Sequence, residues 1–295
     1  MYGTKGWVIA RNAENPDDKL EKPERGEGAM RMKKRLALLL TMLLLASLAA
    51  CGQTGHTDNS FGEVTEMAGE NATADGEAGS PAETEEPAPA LLRYMGQASI
   101  RVTAAEGKVI YVDPFSGSDE DYAPAADLIL VTHAHPDHNQ TDRVANRNPD
   151  CRIITQDEAI LDGAHQIFDL GYVRVEAVEA GYNQNHSVEN CVGYVLTFSN
   201  GASVYVSGDT STTRQMPELA ERGIDYAFFC CDGRFNMGLE EAAECAKLVG
   251  AKRNIPYHMA PGTENHFDRE IAEQFHAENR MIIEPGEDIP VVPVI

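Results

Sequence analysis

Three histidines and an aspartate fall within six residues at the end of an apolar run, Leu128-Ile-Leu-Val-Thr-His133-Ala-His135-Pro-Asp137-His138. Imidazole and carboxylate are the usual nitrogen and oxygen donors for a borderline divalent metal such as zinc. A tight loop leaving a strand sends alternate side chains to different points. His133 and His135 can then reach one ion while Asp137 and His138 reach a second. Pro136 stiffens the loop that carries them. Without a metal, imidazoles crowded this closely would each oppose protonation of the next. One chemistry open to such a cluster is hydrolysis, because coordination brings the pKa of a water toward neutrality.

The elements that must position this loop are short and β-rich. Candidate strands are Ser99-Ile-Arg-Val, Val109-Ile-Tyr-Val, Leu128-Ile-Leu-Val, Arg152-Ile-Ile, Val173-Arg-Val-Glu-Ala-Val, Gly193-Tyr-Val-Leu-Thr-Phe, Ser203-Val-Tyr-Val, Tyr226-Ala-Phe-Phe and Asn254-Ile-Pro. Most are bounded by Gly, Asn, Asp or Pro, as strands should be. Asn200-Gly201 between two of them is a hairpin turn signal. Helical periodicity is confined to two places. Leu239 to Val249 puts Ala242, Cys245, Ala246 and Val249 on one face, with Gly250 as the C-cap. Asp268 to Glu278 places Ile271 and Phe275 four apart. The pattern predicts one α/β domain of roughly two hundred residues.

HxHxDH after a strand resembles the signature of the metallo-β-lactamase superfamily, and further motifs follow in that family's order. Val109-Ile-Tyr-Val-Asp113-Pro-Phe resembles the first, whose aspartate orients a ligand histidine rather than binding metal. His186, upstream of Cys191-Val-Gly-Tyr-Val, resembles the third-motif histidine of the first metal. Val206-Ser-Gly208-Asp209-Thr210 resembles the fourth, whose aspartate bridges both ions. Ile255-Pro-Tyr-His258 resembles the fifth, the last ligand of the second metal. His266 competes for that role but lies in a polar loop without a preceding strand. The resemblance implies a four-layer αββα sandwich over residues 91–295 and a two-metal site of His133, His135, Asp137, His138, His186, Asp209 and His258. It implies two catalytic carboxylates, Asp209 holding both ions and Asp137 orienting or deprotonating a water. Zinc suits these ligands, and manganese or iron is also accepted. The implied reaction is hydrolysis of an ester, lactone or phosphodiester.

Leu92-Arg-Tyr-Met-Gly-Gln-Ala-Ser-Ile resembles the opening strand and turn of a branch containing ascorbate-6-phosphate lactonase-like proteins. Arg234-Phe235-Asn236-Met237-Gly238-Leu239-Glu240-Glu241-Ala242 resembles that branch's loop before a helix. Tyr182, Asn183 and Tyr257 adjoin expected ligands and are candidates for substrate contact, the ordinary alternative being packing. Asn139 and Thr210 are expected to be local hydrogen-bond partners.

The first ninety residues are a different material. Arg31-Met-Lys-Lys-Arg followed by an apolar run from Leu36 to Leu48 reads as the basic and hydrophobic regions of a secretory signal. The run is short for a spanning helix, which needs about 20 apolar residues. It ends in Leu48-Ala-Ala-Cys51-Gly, which resembles the bacterial lipobox and implies lipidation of Cys51. Residues 1–50 are thus read as a signal region, with translation starting at Met30 or Met32. Residues 51–90 are acidic, without Lys or Arg, and read as an extended tether from membrane to domain.

A formal net charge of -23 disfavours nucleic-acid partners. The expected partners are a small-molecule or lipid-like substrate and the membrane of the cell envelope. Six cysteines without a CxxC spacing give neither a zinc ribbon nor a complete disulfide framework. Cys230 and Cys231 read as core residues of a strand. Two further functions stay open: a β-lactamase or cell-wall esterase, and a non-catalytic metal-dependent binding lipoprotein.

Overall fold

The computed structural model describes residues 89–295. The signal region, Cys51 and nearly all of the acidic tether lie outside the described residues.

The described chain builds two six-stranded sheets. The strands are β1 (Ala90–Gly96), β2 (Ser99–Thr103), β3 (Val109–Val112), β4 (Ala126–Leu130), β5 (Arg147–Ile154), β6 (Ile160–Leu161), β7 (Ala164–His165), β8 (Ile167–Asp169), β9 (Val173–Glu179), β10 (Val192–Phe198), β11 (Ser203–Val206), β12 (Tyr226–Cys230), β13 (Arg253–Tyr257) and β14 (Asp288–Val291). The first sheet runs β14-β1-β2-β3-β4-β5 and the second β13-β12-β11-β10-β9-β8, with β6 and β7 as a small separate hairpin. Four helices join them: α1 (Gln156–Ala159), α2 (Met216–Leu219), α3 (Leu239–Val249) and α4 (Arg269–Glu273).

Alternation along the strands decides the layers. In β3, Ile110 and Val112 face the large core shared by both sheets, whereas Val109 and Tyr111 join a second cluster with Met95, Tyr122, Ile129, Val131 and Val144. Side chains two apart share a face of a strand, so one sheet can contribute to both cores. The second sheet is covered outside by α3, whose buried residues Ala242, Cys245, Ala246 and Val249 are those its periodicity predicts. Gly250 ends the helix at φ 64, its N–H donating to the Ala246 carbonyl at 2.9 Å. The chain forms the expected sandwich of two sheets flanked by helices; outside the first sheet, Tyr122 comes from a loop and Val144 follows a single 3-10 turn, Thr141–Arg143.

The expected second helix is cut from Asp268–Glu278 to Arg269–Glu273. Asp268 caps it by accepting from the Ile271 N–H at 3.1 Å. Beyond it, Phe275 drops into the core against Phe229, and Arg280 binds the Glu273 and Phe275 carbonyls that a longer helix would need. The Asn200-Gly201 hairpin forms, with Gly201 at φ 84 and a four-residue connection between Phe198 and Ser203.

The functional side chains emerge where strands stop. β3 and β4 run parallel, as do β11, β12 and β13. Their carboxyl ends therefore gather at one edge, followed directly by Asp113, the His133 loop, the Asp209 turn, Asp232 and His258.

Candidate metal centre

The seven sequence-predicted residues meet in one cluster, in which His133, His138, His186, Asp209 and His258 are buried, Asp137 is partly buried and His135 is exposed. Three groups lie with their donor atoms within 4.8 Å of one another: His133, His135 and His186; Asp137, His138 and His258; and His133, His138 and Asp209. The third group links the other two. One Asp209 oxygen, Oδ2, lies 3.3 Å from His186 Nε2 and 4.0 Å from His133 Nε2. The other, Oδ1, lies 3.3 Å from His138 Nε2 and 3.4 Å from His258 Nε2. A single carboxylate thus divides its two oxygens between two sets of imidazoles. His266 is excluded from the cluster; its ring packs on Phe115 and its Nδ1 accepts from the Gly262 N–H.

Three of the imidazoles are aimed by what binds their other nitrogen. Asp113, fully buried at φ 47, accepts from Thr132 N and Thr132 Oγ1, both at 2.7 Å, and its Oδ2 meets His138 Nδ1 at 2.8 Å. This leaves His138 Nε2 facing the centre. Asn183 Oδ1 does the same for His186, meeting Nδ1 at 3.1 Å. His258 Nδ1 lies 3.4 Å from Asp232 Oδ2, and Asp232 is itself fixed by the N–H groups of Arg234 and Phe235. A partner on the outer nitrogen sets the ring's orientation and raises its basicity as a ligand. Gly208 makes the turn that presents Asp209: φ is 61, and a Cβ there would stand 2.6 Å from the Val192 carbonyl.

The arrangement fits divalent cations. His133 Nε2, His138 Nε2 and Asp209 Oδ1 are buried and have no well-formed hydrogen bond among the described residues. Buried polar atoms are otherwise nearly always satisfied. Every ion-pair partner of Asp113, Asp137, Asp209 and Asp232 among the described residues is a histidine. So much buried negative charge without lysine or arginine calls for a cation.

The protonation balance agrees. Burial opposes charge on His258, but Asp209, Asp137 and Asp232 outweigh it and push its pKa up to about 10. His138 is likewise driven up by Asp209 and Asp113 against burial. His133 goes the other way, down to about 2, through burial and the neighbouring His138. Asp209 is held well below the ordinary carboxylate range by the surrounding histidines, despite burial.

Four other sequence-level candidates separate here. Tyr257 is fully buried against Phe228, so it packs rather than meeting substrate. Tyr182 lines a different cavity with His165 and Glu179. Asn139 only donates its backbone N–H to the His135 carbonyl. Thr210 ties its hydroxyl to the Gly181 carbonyl. Sequence reasoning missed Gln97, Asp232, Asn185 and Phe235. Asn185 and Phe235 line the cavity over the cluster, about 320 Å³ in volume, together with His135, Asp137, His186, Asp209 and His258.

Residues 91–258 match the family model described as the beta-lactamase superfamily domain. The chain belongs to the metallo-β-lactamase superfamily. It is 29% identical over 231 residues to a UPF0173 metal-dependent hydrolase of Rubrobacter xylanophilus, covering 67% of this chain and 95% of that one. It is 31% identical over 192 residues to a protein of the same name from Geobacillus thermodenitrificans, covering 57% and 84%. The solved structure of Igni18, a metallo hydrolase from Ignicoccus hospitalis, matches with a TM-score of 0.52 at 20% identity, over 68% of this chain and 97% of that one; this likeness concerns the fold. The chain is a metal-dependent hydrolase of this superfamily, and its motifs sit at strand ends where the fold brings both sheets together.

Proposed function

We propose that this protein is a two-metal hydrolase that cleaves an ester, lactone or phosphodiester of a small or lipid-like molecule, and that it works outside the cytoplasm on a lipid anchor at Cys51. The observation that carries the two-metal reading is the division of Asp209, one oxygen toward His133 and His186, the other toward His138 and His258. His133, His135 and His186 would hold one ion, and Asp137, His138 and His258 the other, with Asp209 between them. When bound, the ions supply a water of lowered pKa and polarise a carbonyl or phosphoryl oxygen.

The chain's own groups supply the rest. Asp137 is the carboxylate open to the cavity, its side chain 35% exposed against 4% for Asp209. Burial opposes its ionisation, but the His258 hydrogen bond and the nearby His138 keep it ionised far into acid. It is placed to take a proton from a water on the cavity floor. Asp209, buried and fixed by four imidazoles, is a holder rather than a base. Phe235, 42% exposed, gives the cavity an apolar wall, and the Arg234 guanidinium lies 4.8 Å over its ring. That combination favours a substrate with an apolar arm and an anionic or polar head. Zinc suits the nitrogen-rich donor set. A sugar phosphate of the lactonase type fits an exported protein less well than a lipid-like diester or lactone does, because such metabolites are mostly intracellular.

Metal content and turnover, measured together on wild type and His133→Ala, test the reading. Two ions per chain in the wild type, with metal and activity lost together in the variant, would support it. Bis-p-nitrophenyl phosphate, a model lactone and a chromogenic cephalosporin as substrates would separate the diesterase, lactonase and β-lactamase outcomes. Bound metal with no turnover on any ester would favour the binding lipoprotein instead. Radiolabelled palmitate incorporated by the wild type and not by Cys51→Ala would support the anchor; equal labelling of both would remove it.

A further inference from the structure

Gln97 sits in the centre without a task in the seven-residue scheme. It is 2% exposed. Its side-chain Nε2 stands 2.9 Å from His258 Nε2 and 3.0 Å from Asp137 Oδ2. Both atoms belong to the same ligand group, the one completed by His138. The Gln97 Oε1 is buried and has no hydrogen-bond partner among the described residues.

The backbone is arranged to hold it there. Gln97 follows Gly96 in the tight turn between β1 and β2, at φ 49, a left-handed conformation that a glutamine rarely adopts. Gly96 itself is at φ 102, and a Cβ on it would stand 2.2 Å from the Asn265 carbonyl. The strained turn is pinned by the Gln97 carbonyl, which accepts from the Tyr94 hydroxyl and the His258 N–H, each at 3.0 Å. Strain of this kind persists only where the surroundings over-determine it, and it gathers at working sites.

We propose that Gln97 is an eighth member of the metal centre, its side-chain oxygen Oε1 ligating the ion held by Asp137, His138 and His258; this rests on the two-metal reading above. A carboxamide presents two donors on one side and an acceptor on the other, with nearly the same shape either way round. With no ion bound, its NH2 serves the Asp137 oxygen and the lone pair of a neutral His258, or its oxygen accepts from a charged His258. Once an ion takes the lone pairs of Asp137 and His258, the NH2 has nothing left to donate to. A half-turn about the last side-chain bond then offers Oε1 from the same spot, and a neutral oxygen is an ordinary ligand for a divalent cation. A residue that only steadied Asp137 would not need to touch His258 as well.

The test is stepwise Zn2+ binding to the full chain against a chromogenic chelator, for wild type, Gln97→Met and Gln97→Glu, with Co2+ visible spectra of the same proteins. Gln97→Met keeps the length of the side chain and removes the oxygen. It should leave the first, tighter ion within about twofold and weaken the second by about tenfold or more. Gln97→Glu should tighten the second. The second Co2+ equivalent should absorb more strongly in Gln97→Met, as its coordination number falls. Retention of the first ion shows that the variant is folded. Two ions bound by the wild type and bound equally well by Gln97→Met, with unchanged Co2+ spectra, would overturn this inference alone. A wild type that takes up no second ion would overturn the two-metal reading and this inference with it.

Discussion

Asp209 and Asp232 have the same charge and opposite duties, and substitution should tell them apart. Asp209→Asn removes the charge shared by both sets of histidines; we expect the pair of ions to be lost and kcat/KM to fall by about a hundredfold or more, read by metal analysis and steady-state kinetics. Asp232→Asn leaves every ligand atom in place but weakens the group that aims His258; metal affinity should drop by about 10–100-fold. The proton balance gives a further expectation. A metal-free His258 with its pKa pushed up to about 10 keeps its proton at neutral pH, and an incoming ion must displace it. His138 is driven up as well, so the affinity of the second ion should rise by at least about tenfold per pH unit between pH 7 and 9, and a pH-independent affinity in chelator competition would contradict it. At this scale the sequence is legible where ligands are close together in the chain or follow a strand. His133, His135, Asp137 and His138 announce themselves, and Asp209 follows a clear strand. Asp232 does not, because its partner His258 is one strand away in space and 26 residues away in sequence. Gln97 is hidden for a related reason: it approaches Asp137 across 40 residues, and glutamine carries no metal signature of its own.

Elements deliver these residues through turns that tolerate little. Gly208→Ala would force a Cβ to within 2.6 Å of the Val192 carbonyl at a φ of 61. We expect a loss of about 2 kcal/mol or more in urea unfolding, together with reduced metal uptake, because the same turn aims Asp209. Phe275→Ala should cost about 3–5 kcal/mol and leave metal stoichiometry intact in the folded fraction, since its ring fills the core against Phe229 away from the ligands. The bounds of α3 could be read from its apolar spacing and terminal glycine, and the central strands from their β-branched runs. Edge elements were harder. β14 has only four residues and contains Pro290, which cannot donate to a ladder, so it is hard to read from the sequence although it pairs with β1 as an edge strand. β8 has only three residues and leaves Ile167 exposed. The second helix was overestimated because Phe275 is four residues from Ile271, a spacing that also arises when a chain leaves a helix and turns inward.

Across the whole domain, acid should act first through paired carboxylates. Asp121, with its side chain 10% exposed, joins Arg93 at 2.5 Å and accepts from Ser118. Burial opposes its ionisation, but these partners hold its pKa below the ordinary value. A depressed folded-state pKa contributes stability that is complete above the unfolded value, near 4, and fades as pH falls through the folded one. Asp121→Asn should thus lower Tm at pH 7, with the difference shrinking as pH falls below the unfolded value, as differential scanning calorimetry would show. Chelation should lower Tm of the wild type at neutral pH, because an ion bound only by the folded state stabilises it. The position of the ligands gives this a further consequence. His133, His135, Asp137 and His138 follow β4 of the first sheet, whereas His186, Asp209 and His258 follow β9, β11 and β13 of the second. If these residues hold the ions as proposed, metal occupancy is a clasp between the two sheets. In the loaded protein the slowest amide hydrogens of β4 and β11 should exchange at one common rate, that of global opening. In the metal-free protein the strand ends that carry the ligand loops should exchange faster, while the strand centres, still joined by the shared core, keep the global limit.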